Sequence, residues 1–174
     1  APELYCHSDM IVLEHGKAFT MDTKCRAAHI SSAGDARHWP KPYLLQEDSI
    51  AAQAYHLTEK AFLAAISTSD AFQNLQHVES LGGERREGCL CQVFGLDFTA
   101  DSAERLWLLE VNSYPAIASG TLQHVDVSVF TKLIRDVVNL VVLPRTDGKE
   151  MELGNFKRLK LDIPDPSNAE DLPA

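Results

Sequence analysis

Cysteine is scarce in this chain, with 4 among 174 residues: Cys6, Cys25, Cys89 and Cys91. Their small number and irregular spacing exclude a disulfide scaffold and point to a reducing compartment. Cys89-Leu90-Cys91 could supply half a zinc site, but no His or Cys pair at metal-ligand spacing stands elsewhere, so two strand thiols are the simpler reading. A long apolar run is also missing. The longest lies inside residues 133–143 and is interrupted by Arg135, Asp136 and Asn139, which excludes a membrane span. No secretory leader stands at the start, and a first residue of Ala1 leads us to expect a processed chain or a fragment.

Positive charge is the third shortage. Against 25 Asp and Glu stand 16 Lys and Arg, a net charge of −9, which argues against nucleic acid or an anionic membrane as partner. A role with phosphates or acidic peptides would need a local cationic site. What is present is ordinary for a globular protein, at 45% hydrophobic and 24% charged residues. A mass of 19.3 kDa suffices for one domain with a core. Collagen, a coiled coil and a disordered tail are excluded with the disulfide miniprotein.

The pattern along the chain predicts a strand region over residues 8–21, a hairpin in which Asp9–Glu14 leads to the turn His15-Gly16 and Lys17–Met21 leads away. A loop over 31–42 carries Arg37, His38, Trp39 and Lys41. A helix opening at Asp48 or Ser49 places Ile50, Ala54, Leu57, Ala61, Phe62 and Ala65 on one face, and Gln53, His56, Glu59 and Lys60 on the other. A second helix is expected over about 126–143, with Val129, Phe130, Leu133, Ile134, Val137, Val138 and Val141 as its buried stripe and Pro144 at its end.

Between the helices lies the segment that carries chemistry. In Cys91–Thr99, alternation puts Gln92, Phe94, Leu96 and Phe98 on a core face and Val93, Gly95, Asp97 and Thr99 on the other. In Leu106–Asn112, it puts Trp107, Leu109 and Val111 opposite Leu108, Glu110 and Asn112. A hairpin folding around residues 103 and 104 pairs Asp97 with Glu110, Phe98 with Leu109 and Leu96 with Val111. Facing carboxylates repel, by about 0.2–1 kcal/mol for an exposed pair. The pair persists if one member is protonated or if a cation lies between them, and Asn112 adds a neutral oxygen suited to a hard divalent ion. A turn-capping Asp97 and a Glu110 paired with a basic residue is the plainer alternative.

Phe94-Gly95-Leu96-Asp97-Phe98 followed by Trp107-Leu108-Leu109-Glu110-Val111-Asn112-Ser113-Tyr114-Pro115 resembles the C-terminal metal-binding signature of the tubulin tyrosine ligase-like family of ATP-grasp amino-acid ligases. Weaker matches extend the resemblance over about residues 9–143. His29-Ile30-Ser31-Ser32 is similar to the family's H-L-T-N element, with Ser32 replacing its Asn. Lys132, Leu133, Asp136 and Asn139-Leu140 are similar to the helix of the glutamylase-type branch.

The resemblance implies an α+β fold: the C-terminal half of an ATP-grasp domain over residues 1–145, with an antiparallel sheet flanked by helices, then a polar, partly disordered extension over 146–174. It implies Mg²⁺ on Asp97, Glu110 and Asn112 at the ATP phosphates, with Lys17 and Lys132 as further nucleotide contacts. The implied reaction is ATP-dependent ligation of an amino acid (a glutamylase, glycylase or tyrosine ligase) through an acyl phosphate. The implied partners are tubulin or another acidic protein tail and an amino-acid substrate, with no nucleic acid and no membrane. The implied location is the cytoplasm, at the cytoskeleton, a cilium or a flagellum. Two departures keep other readings open. Phe19 stands where the family carries an arginine three residues after the glycine, and a complete catalytic unit needs about twice this length. The alternatives are a non-catalytic tubulin- or protein-binding module, and an ATP-grasp ligase outside the tubulin group.

Overall fold

The structure is a computed structural model that describes residues 3–14, 17, 18, 20–25, 28, 43–68, 91–115 and 127–162. Its elements in chain order are β1 (Leu4–His7), β2 (Ile11–Val12), β3 (Tyr43–Leu44), α1 (Asp48–Thr68), β4 (Gly95–Ala100), β5 (Leu106–Asn112), α2 (Val127–Val137), a π-helical turn (Val138–Val142), α3 (Leu143–Thr146) and β6 (Phe156–Leu159). This is an α+β arrangement. The chain divides into two compact units: Ala1–Cys6 with Ser49–Ser113 and Lys157–Ala174, and His7–Asp48 with Tyr114–Phe156.

In the first unit, α1 is anchored through the face centred on Ala54, Thr58 and Ile66, all buried. Thr58 does not belong to the apolar set read from the sequence. It is tolerated inside because its hydroxyl donates to the Ala54 carbonyl at 2.7 Å, so no polar group is left unsatisfied. Phe62 meets Phe94 edge-to-face at 5.1 Å, which ties α1 to the chain entering β4. The face expected to be solvated splits: His56 and Lys60 are exposed, whereas Gln53 and Glu59 are half-buried and bonded. Glu59 accepts the backbone N–H of Lys160, just past β6. The basic segment Phe156–Leu159 is a strand paired with β1, and Leu159 is buried.

In the second unit, β2 pairs antiparallel with β3, Ile11 opposite Leu44 and Val12 opposite Tyr43. The hairpin expected from Asp9 to Met21 is therefore corrected, since the strand partner of Ile11-Val12 is Tyr43-Leu44, far beyond that turn. In the expected return strand the described residues Lys17 and Ala18 are exposed, Met21 is 84% exposed, and none of those described is a strand residue. Among the described residues the strands form three separate two-stranded sheets, not one antiparallel sheet.

The second helix also differs from its expected stripe. Phe130 is buried as read, but Ile134 is 47% exposed, and Asp136 and Leu140, both outside that stripe, are buried. Nor does Pro144 end the helix. The Leu143 N–H bonds to the Val138 carbonyl five residues back, and this wide turn sets Pro144 at the start of α3. There its missing N–H costs no intrahelical bond.

Candidate functional site

The β4–β5 hairpin is closed by a short polar loop with its own clamp. The Asp101 N–H bonds to the Arg105 carbonyl at 3.0 Å, and the Glu104 N–H to the Asp101 carbonyl at 3.0 Å. The Asp101 carboxylate accepts the backbone N–H groups of Ala103 and Arg105, the Arg105 guanidinium at 2.8 Å and the Trp107 indole N–H at 3.3 Å. The Arg105 backbone N–H, first among these donors, holds the Asp101 carboxyl down to about 2. Because that value lies below the ordinary 3.8, the clamp's contribution is full above pH 3.8 and fades as pH falls through about 2.

Glu104 closes the loop at φ 57°, the left-handed region that disfavours a side chain. Glu104→Gly is expected to stabilise the chain by about 0.5–1 kcal/mol, since relief of that strain exceeds the added freedom of glycine in the unfolded chain. Urea melts of the two forms check it; a less stable glycine variant would contradict the loop geometry. From α1, Gln53 grips both sides of the loop. Its amide donates to the Glu104 carbonyl at 3.0 Å and accepts the Leu106 N–H at 3.0 Å. Sequence periodicity reads Gln53 as a solvated helix residue, and no local signal could have revealed a partner more than 50 residues away.

The pairing register matches the expectation at the chemical end and departs from it beyond. Gly95 opposes Asn112, Leu96 opposes Val111 and Asp97 opposes Glu110. Then the register shifts between Asp97 and Phe98, so Phe98 faces Leu108 and not Leu109, and Thr99 faces Trp107. Leu109 is the extra residue of a β-bulge. A one-residue slip turns the following side chains over. Trp107 thus moves to the face of Asp97, Thr99 and Glu110, while Leu106 and Leu108 join Leu96 and Phe98 on the half-buried face. This corrects the expected core face of β5: Trp107 is 54%, Leu109 64% and Val111 41% exposed.

Asp97 and Glu110 are both exposed and Asn112 is half-buried. Solvent around the two exposed carboxylates screens their repulsion, which lets the pair stand without a basic partner among the described residues. The Asn112 amide nitrogen donates to Asp97 Oδ2 at 3.2 Å, fixing one carboxylate and leaving the Asn112 oxygen free of that bond. At the open end, the Gln92 amide bonds to the Ser113 carbonyl at 2.6 Å and holds the two strands together. Two carboxylates and an amide oxygen on one face make an all-oxygen donor set, which fits a hard divalent cation such as Mg²⁺ and is poorly suited to softer metals. No group of three or more His, Cys, Asp and Glu gathers among the described residues.

The remaining candidates lie in the second unit. Lys132 is half-buried on α2, with Nζ 2.9 Å from Asp9 Oδ2 and 3.2 Å from Oδ1, and not on a fully solvated face. Asp9 is a partner that the sequence reading missed, 123 positions away. Lys17 is exposed. His29, Arg37 and Lys41 lie outside the described residues, as do Phe19 and Ser32. Cys89 does too, while Cys91 is an exposed free thiol ahead of β4 and not a strand residue. Cys6 in β1 is a reduced thiol, and burial pushes it up to about 11, which disfavours the reactive thiolate. No helix among the described residues is long and apolar enough to cross a membrane.

A model of the tubulin-tyrosine ligase family matches residues 25–150 of the chain. Tubulin polyglutamylase ttll-4 of Caenorhabditis briggsae is 47% identical over 49 residues, which are 28% of this chain and 8% of that protein. The ttll-4 protein of Caenorhabditis elegans matches to the same extent. Tubulin polyglutamylase ttll-5 of Caenorhabditis elegans is 40% identical over 58 residues, 33% of this chain and 8% of that protein. The chain thus covers less than a tenth of the length of these curated relatives. No solved structure matches the chain.

Proposed function

The chain belongs to the tubulin-tyrosine ligase family, and from that premise we propose that it carries the Mg²⁺-holding part of an ATP-dependent carboxylate–amine ligase. The reaction class is amide formation between an acceptor glutamate side chain and an incoming amino acid. The observation that supports it is the opposed pair Asp97 and Glu110 with Asn112 beside them on one hairpin face. The names of the matched relatives favour glutamate as the added residue and tubulin as the acceptor. The fold expectation that goes with this reading is the C-terminal half of an ATP-grasp domain.

In the proposed reaction the acceptor carboxylate oxygen attacks the ATP γ-phosphorus, and ADP leaves with the electrons of the broken P–O bond. The amine of the incoming amino acid then attacks the acyl carbon; phosphate leaves and the amine loses a proton. Bound Mg²⁺ would neutralise charge on the ATP phosphates. Asp97, Glu110 and Asn112 serve as ligands, and none has to act as acid or base. The hairpin's contribution is rigidity: the Gln53 clamp and the Asp101 loop fix one end, the Gln92–Ser113 bond the other. A ligand set held this way needs little reorganisation when charge develops.

The test is incubation of the full-length protein with ATP, Mg²⁺, labelled glutamate and tubulin. Covalent, ATP-dependent label on tubulin is the expected result. A second reading, a non-catalytic protein-binding module, draws on the exposed apolar side chains Trp107, Leu109 and Val111, which lie along β5 on either side of its bulge. Absence of label with any amino acid, together with retained tubulin binding, would favour it.

A further inference from the structure

In a chain of net charge −9, one groove carries more positive than negative charge among its described lining residues. It lies within the second unit, has a volume of about 370 Å³, and is lined by Asp9, Leu44, Ser128, Val129, Lys132 and Arg135. Asp9 is 14% exposed and already shared with Lys132, whose side chain remains 41% exposed and keeps donors to spare. Arg135 has no hydrogen-bond or ion-pair partner among the described residues and stands exposed at the groove.

The geometry points to this groove as a docking site for an extended acidic peptide, with Arg135 and Lys132 each taking a carboxylate. Lys132 and Arg135 are three residues apart on α2, which sets their Cβ atoms about 5–6 Å apart. Alternate side chains of an extended peptide lie on one side about 6.6 Å apart, a close match. Leu44 and Val129 supply apolar wall for the methylenes of glutamate side chains, and the guanidinium of Arg135 accepts a carboxylate in a two-pronged bond. A basic or neutral peptide would leave Arg135 unpaired. The site deepens the ligase reading, because the peptide would be the acceptor, yet its binding requires neither nucleotide nor metal.

The experiment is fluorescence anisotropy of a labelled Glu-Gly-Glu-Gly-Glu peptide on the full-length protein at low salt, without ATP or Mg²⁺. Arg135→Gln is expected to weaken binding about tenfold or more. Lys60→Gln, an exposed lysine on α1, is expected to leave it unchanged. Circular dichroism of both variants checks that each is folded. No binding by the unaltered protein, no loss in Arg135→Gln, or equal loss in both variants would overturn the proposal. Ligation that persists without peptide binding removes this groove alone, whereas peptide binding without ligation removes only the ligase reading.

Discussion

Replacing Glu110 with Gln is expected to lower ATP-dependent amino-acid incorporation by the full-length protein at least about 10²-fold, the order seen when one preorganised charge-stabilising group is lost. The same change is expected to leave the melting temperature unchanged or higher. Glu110 faces Asp97 directly across the hairpin, and two like charges so placed destabilise it by about 0.2–1 kcal/mol. Gln is nearly the same shape and removes one of those charges. A purely structural role predicts the opposite combination, lost stability with activity falling in proportion. The two readouts, label incorporation and thermal melting, therefore separate ligand from scaffold. Incorporation at the unaltered rate by Glu110→Gln would remove Glu110 from the ligand set, and the ligase reading would lose the observation that supports it.

Asp136→Ala is expected to destabilise the chain by about 3 kcal/mol, or roughly 6–12 °C in melting temperature. Asp136 is 6% exposed and accepts three bonds: from His7 Nε2 at 3.2 Å, from the Asn155 N–H at 3.0 Å and from the Asn155 amide at 2.8 Å. Removing it strands those donors in a part-buried place. Gly154 shows how tightly the carboxylate is held. It sits at φ 55°, and a Cβ there would stand 2.6 Å from Asp136 Cγ, so Gly154→Ala is expected to be destabilising as well.

The acid limb follows from the same contacts. Burial pushes the Asp136 carboxyl up, but the Asn155 side-chain and backbone donors and the His7 ring outweigh it and hold the carboxyl below the ordinary 3.8. A lowered native value means the contribution is complete above about 3.8 and is lost as pH falls through the native value. Asp136→Asn should therefore flatten the fall in stability below pH 3.8. Urea melts at neutral pH and across the acid range decide it; parallel acid limbs for the two forms would show that Asp136 does not titrate with unfolding.

Local pattern alone determined a good part of this protein. The α1 helix, most of α2, the hairpin and the Asp97–Glu110 pairing were legible because helix faces and strand alternation are set by neighbours a few residues apart. So was the family, since the run from Trp107 to Pro115 is contiguous. Only the tertiary structure decided the rest. Ile11-Val12 found its partner at Tyr43-Leu44, Asp136 turned inward to serve Asn155, and Gln53 became the clamp of a loop 51 residues away. In each case the deciding contact joins residues far apart in the chain, and a buried polar group takes whichever donor packing brings to it. The bulge at Leu109 belongs to the same class. Alternation carries Trp107 to the apolar face, but one extra residue in β5 turns it to the face of the carboxylates, and pairing, not periodicity, set where that residue fell.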